Sequence, residues 1–247
     1  MIKGIFFLMI MGVGSSFGQM IISQQASLPT ENVVAENMGG SGWTNGYLVY
    51  TNPNLENGYR QLGQSFLNDG PATVLDKITV RFWQPGTYSS AVPVSSGAPG
   101  ATLRMSIYEV SNGAVTFVDL DNPNATWSSA LPTDLAVTSV NDKQFLTFDM
   151  PDTFTLKANQ HYVFLMTFED PGTNRGIHFA WGGGATYADG RAIFYNTTDV
   201  AGVIALRPIS QSVDLSFQVT AVPEPGSLLL LGLGLLGLTG CRRYSTH

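Results

Sequence analysis

The chain has 247 residues and a formal charge of −6, with 44% apolar residues and only 12% charged ones. Residues 19–221 hold nine Lys and Arg against 17 Asp and Glu, near −8, with no basic patch or stripe, which argues against nucleic acid as a partner. The lone cysteine, Cys241, allows no intrachain disulfide, and His161 and His178 form no zinc-type cluster.

In chain order, the first 18 residues read as an address. Lys3 is their only charge, an apolar run follows from Gly4 to Val13, and Ser16-Phe17-Gly18 supplies a small-x-small exit. That predicts a cleaved secretory signal peptide over residues 1–18; a buried first strand or helix is the competing reading. The next 200 or so residues, 19–221, suffice for one all-β domain. Gly39-Gly40-Ser41-Gly42 and the Trp43 that follows have loop composition. Strands are expected at Gly46–Thr51 and Leu62–Leu67, then where Ile78, Val80 and Phe82 alternate with Thr79, Arg81 and Trp83. Gly86 to Gly100 is a Ser-, Pro- and Gly-rich loop. Leu103, Met105 and Ile107 mark the next strand, and Asn112-Gly113 predicts a hairpin from Leu103–Val110 into Ala114–Leu120.

Further on, Phe145–Met150 is a strand candidate. His161 to Glu169 is apolar on both faces, as a central strand between two layers should be. Gly176–Trp181 and Ala192–Tyr195 follow. Val213, Leu215, Phe217 and Val219 then alternate with Asp214, Ser216, Gln218 and Thr220, which predicts a half-buried strand. No amphipathic helix is evident, and Gly-, Pro- and Asn-rich turns are dense. The expected fold is all-β, a two-sheet jelly-roll-like β-sandwich.

Chemistry is thin in this body. Asp149 with Asp152 and Glu169 with Asp170 flank turns, where Asp is common for turn geometry alone, and no Gly-x-Ser-x-Gly elbow occurs. The expectation is a noncatalytic protein; an extracellular hydrolase is the weakest alternative. A carbohydrate-binding, lectin-like module is the stronger one, because sugar rings stack on aromatic platforms. Trp83, on the face opposite Val80, and Trp181 with Tyr187 around the loop Gly182 to Arg191 are the candidate ligand-binding residues. The competing reading places Trp181 in the core and Tyr187 over a sheet edge. The resemblance to jelly-roll carbohydrate-binding modules is one of fold only. Such modules often carry a structural Ca²⁺, but no Asp-x-Asp-x-Asp loop localises one here. Asp119-Leu120-Asp121-Asn122 is the nearest cluster, and a turn explains it equally well. No cofactor and no metal ligand is assigned.

The C-terminal segment, 222–247, is a second address. Val222-Pro223-Glu224-Pro225 ends the last strand with two prolines, neither of which can donate to a sheet. A Leu/Gly-rich run leads to Cys241, then Arg242-Arg243. Gly226 to Cys241, as a transmembrane helix, would span about 24 Å at 1.5 Å per residue, short for a bilayer core of about 30 Å. Arginine snorkelling and local thinning absorb such a mismatch. Arg242 and Arg243 act as the membrane stop and place the extreme C-terminus in the cytoplasm and the body outside.

This order of motif, span and arginine pair resembles the PEP-CTERM sorting family; the same tail pattern is also called an ice-binding-protein C-terminal motif, a label silent about ice for this body. The resemblance covers Val222 to Arg243, and departs from the family in having only two arginines before Tyr244-Ser245-Thr246-His247. It implies processing by an exosortase, a membrane-embedded transpeptidase that would recognise Pro223, Glu224 and Pro225. The inner membrane would then be a transient partner, and the cell surface or an exopolysaccharide matrix the destination.

Overall fold

A computed structural model of the chain describes residues 19–38, 42–48, 59–81, 97–113, 116–135, 145–151, 153–169, 176–183, 187–197, 203–208 and 213–222. The expected signal peptide, Trp83, and the tail beyond Val222 lie outside these residues. Within them there is no α-helix. The strands are β1 (Ile21–Gln25), β2 (Val33–Asn37), β3 (Gly42–Leu48), β4 (Tyr59–Asn68), β5 (Thr73–Arg81), β6 (Thr102–Val110), β7 (Thr116–Asp119) and β8 (Ala125–Ala130). They continue with β9 (Phe145–Asp149), β10 (Thr155–Leu156), β11 (Gln160–Phe168), β12 (Ile177–Gly183), β13 (Ala192–Thr197), β14 (Val203–Pro208), β15 (Val213–Leu215) and β16 (Phe217–Ala221).

Two large sheets hold most of them. One runs β1-β9-β5-β16-β2, with β10 also paired to β5; the other runs β7-β14-β13-β4-β11-β6-β8. A three-stranded sheet, β15-β12-β3, adjoins the first through Ser216, where the chain passes from β15 into β16. There Ser216 donates its N–H to Ala180 and accepts from Arg81 N–H, both at 2.9 Å. Every pairing among the described residues is antiparallel.

Period-two alternation builds the core. Tyr162, Phe164, Met166 and Phe168 of β11, Leu62 and Phe66 of β4, and Leu103, Met105 and Ile107 of β6 face Ile78 and Val80 of β5, Phe148 of β9, and Phe217 and Val219 of β16 in one buried cluster. Phe164 and Phe217 join the two sheets directly, ring centroids 5.9 Å apart. The alternate residues of β11, Val163 and Leu165, enter a second cluster with Tyr108, Val110, Val118 and Ile193 on the far side of the sheet. β11 is thus buried on both faces, as its double-sided apolar run requires.

Several expectations are corrected. Among the described residues β6 is not paired with the strand after Asn112-Gly113: β6 pairs with β11 and β8, and β7 pairs with β14. Gly113 serves a different need. A Cβ there would overlap the carbonyl of Asp189, so glycine permits a close backbone crossing rather than a tight turn. Trp43, read as part of a loop, belongs by its backbone to β3, opposite Gly182. The strand over Val213–Val219 is broken at Ser216, and it is not half-buried. Asp214, Ser216, Gln218 and Thr220 are as buried as Leu215, Phe217 and Val219: Asp214 of β15 is bonded to Gln64, and Gln218 and Thr220 belong to β16, which is flanked by β5 and β2. Similarly Thr79, on the presumed solvent face of β5, is buried against Thr147 of β9, hydroxyl to hydroxyl at 3.1 Å. β1, β2, β8, β10 and β14 are strands that the sequence reading does not include.

Candidate functional site

Two places bear on the functional expectations: the turn that carries Tyr187, and the junction between β16 and the residues that follow it.

Tyr187 begins the turn before β13. Its ring meets Phe217 edge-on at 5.4 Å and packs against the main core. Its hydroxyl accepts the Leu67 N–H at 3.1 Å, and its own N–H donates to Asp214 Oδ2 at 2.9 Å. Asp214 Oδ1 accepts Gln64 Nε2 at 3.0 Å, and Gln64 Oε1 accepts the Leu215 N–H at 2.9 Å. Ser65 Oγ donates to the Gly113 carbonyl at 2.7 Å and accepts the Arg191 N–H at 2.8 Å. A Cβ at Gly190 would overlap the Ser65 carbonyl. The turn is therefore sewn to β4 and β15 by buried polar groups that satisfy one another, as buried groups must. Burial pushes the Asp214 carboxyl above its ordinary value, with Gln64, the Tyr187 N–H and the charge of Arg191 acting against the rise. Burial likewise raises the Tyr187 hydroxyl, opposed by the bond from Leu67.

Trp181 lies in β12, its backbone opposite Leu215 and Thr44. Trp127, another of the four tryptophans, packs against the core with its ring edge-on to Phe154 at 6.3 Å. Of the carboxylates weighed for catalysis, Asp149 pairs with Lys77 at 3.7 Å and Glu169 accepts the Ser128 hydroxyl; Asp152 and Asp170 lie outside the described residues. Asp119 spends both carboxylate oxygens on its own turn, accepting the Asp121 N–H at 3.1 Å and Asn122 Nδ2 at 2.6 Å. That is an Asx-type turn.

The second place is the end of β16. The strand keeps its partners to its last residue: Ala221 N–H donates to the Asn32 carbonyl and Val222 N–H to the Val74 carbonyl, both at 2.9 Å. The register slips around Thr220 against both neighbours. Asn32 adopts φ 55°, a left-handed conformation that asparagine tolerates, and so turns its carbonyl toward Ala221. Beside this junction opens a cleft of about 480 Å³ lined by Pro29, Thr30, Glu31, Asn32, Asp76, Lys77, Thr220 and Val222. Lys77 Nζ lies 3.0 Å from Asp76 and 3.7 Å from Asp149. Burial works against its charge, but the hydrogen bond and charge of Asp76, helped by Asp149, raise its pKa above the ordinary lysine value. Thr220 is 2% exposed and its hydroxyl has no hydrogen-bond partner among the described residues.

Of the residues read as the sorting signal, Val222 is thus bonded to the sheet, while Pro223, Glu224, Pro225, Arg242 and Arg243 lie outside the described residues. Among the described residues no helix is long and apolar enough to cross a membrane. The cleft itself was not foreseen. Its residues come from three separate segments, and the only local hint is the adjacent charge pair Asp76-Lys77 inside a strand.

The described residues form an all-β body, and its last strand is followed in sequence by Pro223-Glu224-Pro225. Residues 221–243, beginning at the last residue of β16, match the PEP-CTERM protein-sorting motif. That motif implies recognition by an exosortase, with export and membrane-associated sorting to the cell surface. No curated protein matches the chain.

Proposed function

We infer that this is a noncatalytic extracytoplasmic protein, a jelly-roll-like β-sandwich delivered by its C-terminal signal to the cell envelope or an exopolysaccharide matrix. The apolar run up to Cys241 is a transient membrane helix with the body outside, and Arg242-Arg243 are its stop. The sandwich reading is supported by the two large sheets that share one core, with β4, β6 and β11 of one packed against β5, β9 and β16 of the other. The observation that carries the sorting reading is the register of the motif on the fold. The match starts at Ala221, the last residue of β16, so that Pro223-Glu224-Pro225 follows in sequence directly on Val222, whose N–H is bonded to Val74.

Replacing Pro223-Glu224-Pro225 by three alanines tests it. Export and insertion should persist, because the signal peptide and apolar run remain, while removal of the tail should stop and unprocessed protein should collect in the membrane fraction. Mass and fractionation in a host with the sorting enzyme decide the matter. A triple-alanine form that loses its tail like the wild type would reduce the motif to a connector.

A further inference from the structure

The sorting motif lies within a few residues of the cleft at the end of β16. Val222 is fixed by its bond to Val74 and lines the cleft. Pro223 to Pro225 can reach at most about 11 Å from it, at roughly 3.3–3.6 Å per extended residue. An enzyme that grips those three residues meets the rim of the two-sheet body as well.

We propose that this cleft is a second docking surface for the transpeptidase that cuts the motif, and that the segment it receives is cationic. The proposal rests on the sorting reading above and extends it. Two independent observations carry it. The first is charge: Glu31 on the rim and Asp76 and Asp149 around Lys77 set three carboxylates against one ammonium. Such a rim repels an anionic lipid surface and attracts a basic loop. The second is Thr220, a residue that lines the cleft and whose buried hydroxyl lacks a partner among the described residues. A buried polar group without a bond is costly, and an incoming chain that bonds it recovers that cost. The fold supplies the position, since the register slip at Thr220 and the left-handed Asn32 shape the rim where the strand ends.

The test follows tail removal over time in the full-length chain, in a host with the sorting enzyme. Glu31→Lys acts on an exposed side chain and should leave the melting temperature unchanged. Charge reversal at a rim acts mainly on association, so processing should slow by about fivefold or more. Thr220→Val, which keeps the shape and removes the hydroxyl, should slow it too. An eight-residue Gly/Ser insertion between Val222 and Pro223 moves the motif about 15 Å from the rim on average. It should slow processing to a similar degree, and Glu31→Lys should add nothing further to it. Faster processing after the insertion would make the body a mere obstacle, and unchanged rates for all three variants would mean that the motif is read alone; either overturns the proposal. Faster processing of Glu31→Lys would instead place the rim against anionic lipid and overturn it equally. The triple-alanine variant keeps the two readings apart: if it is processed normally, sorting itself fails, whereas if only the rim variants behave as wild type, sorting stands and the docking surface falls.

Discussion

Asp214 is an acid buried in an apolar body at 1% exposure, held by Gln64 and by the Tyr187 N–H. Its folded-state pKa is raised above 3.8 chiefly by burial. The folded protein therefore holds this proton more tightly than the unfolded chain. The stability it contributes is full below the ordinary aspartate value and is lost as pH rises through the raised folded value. Asp214→Asn should flatten that part of the stability profile, measured by urea unfolding of residues 19–222 across acid pH. An unchanged profile would assign the proton elsewhere. Nothing in the sequence marks Asp214 as special. It occupies the polar slot of an alternating strand, and a buried, bonded carboxylate alternates just as a solvated one does. The same ambiguity hid Thr79 and Gln218. Asn112-Gly113 misled for a related reason, because glycine serves turns and close backbone crossings alike, and only the approach of Asp189 shows which need applies.

Among elements, β11 and β16 are both interior members of their sheets, with a partner on either side, but the sequence announced only one of them. β11 is apolar at nearly every position, so burial on both faces could be read directly. β16 carries Gln218 and Thr220, and its interior position emerges only from pairing with β5 and β2. Edge strands were harder still. Ile21-Ile22-Ser23-Gln24-Gln25 and Ala125-Thr126-Trp127-Ser128-Ser129-Ala130 are short and polar, as edges tend to be to avoid pairing with other chains, so they lack the alternation that identifies a strand. This contrast has a measurable side. Phe217 of β16 is fully buried between Phe164 and Tyr187, and Phe217→Ala should cost about 3–5 kcal/mol. Ile21 of the edge strand β1 is 63% exposed, and Ile21→Thr should stay within about 0.5 kcal/mol. Chemical denaturation of both variants checks the ranking; equal losses would contradict the placement of β16 inside the sheet.

At the scale of the molecule, the class of fold was legible because period-two patterns and dense turns leave few alternatives, and the C-terminal address was legible because its parts occur in a fixed order. The cleft between them was not. Glu31, Asp76 and Thr220 are far apart in the chain and meet only once β2, β5 and β16 have paired. Of the ligand residues considered from the sequence, Tyr187 is packed and bonded within the body, Trp181 is placed by its backbone in β12, and Trp83 lies outside the described residues.

β16 is the last described strand to be synthesised, yet it stands between β5 and β2 in the first sheet, so neither neighbour has its full set of bonds until residue 221 is in place. For a chain threaded outward N-terminus first, the fold closes only after nearly all of the body has crossed. Until then the earlier strands present open edges, and a chain ending at Leu215 should be degraded quickly by added protease while one ending at Val222 resists. Resistance of the shorter chain would show that β16 is dispensable. The same residues that complete the sheet introduce the motif for the sorting enzyme, so the chain becomes fully folded only as it becomes ready for delivery, and the order of its synthesis sets the order of its maturation.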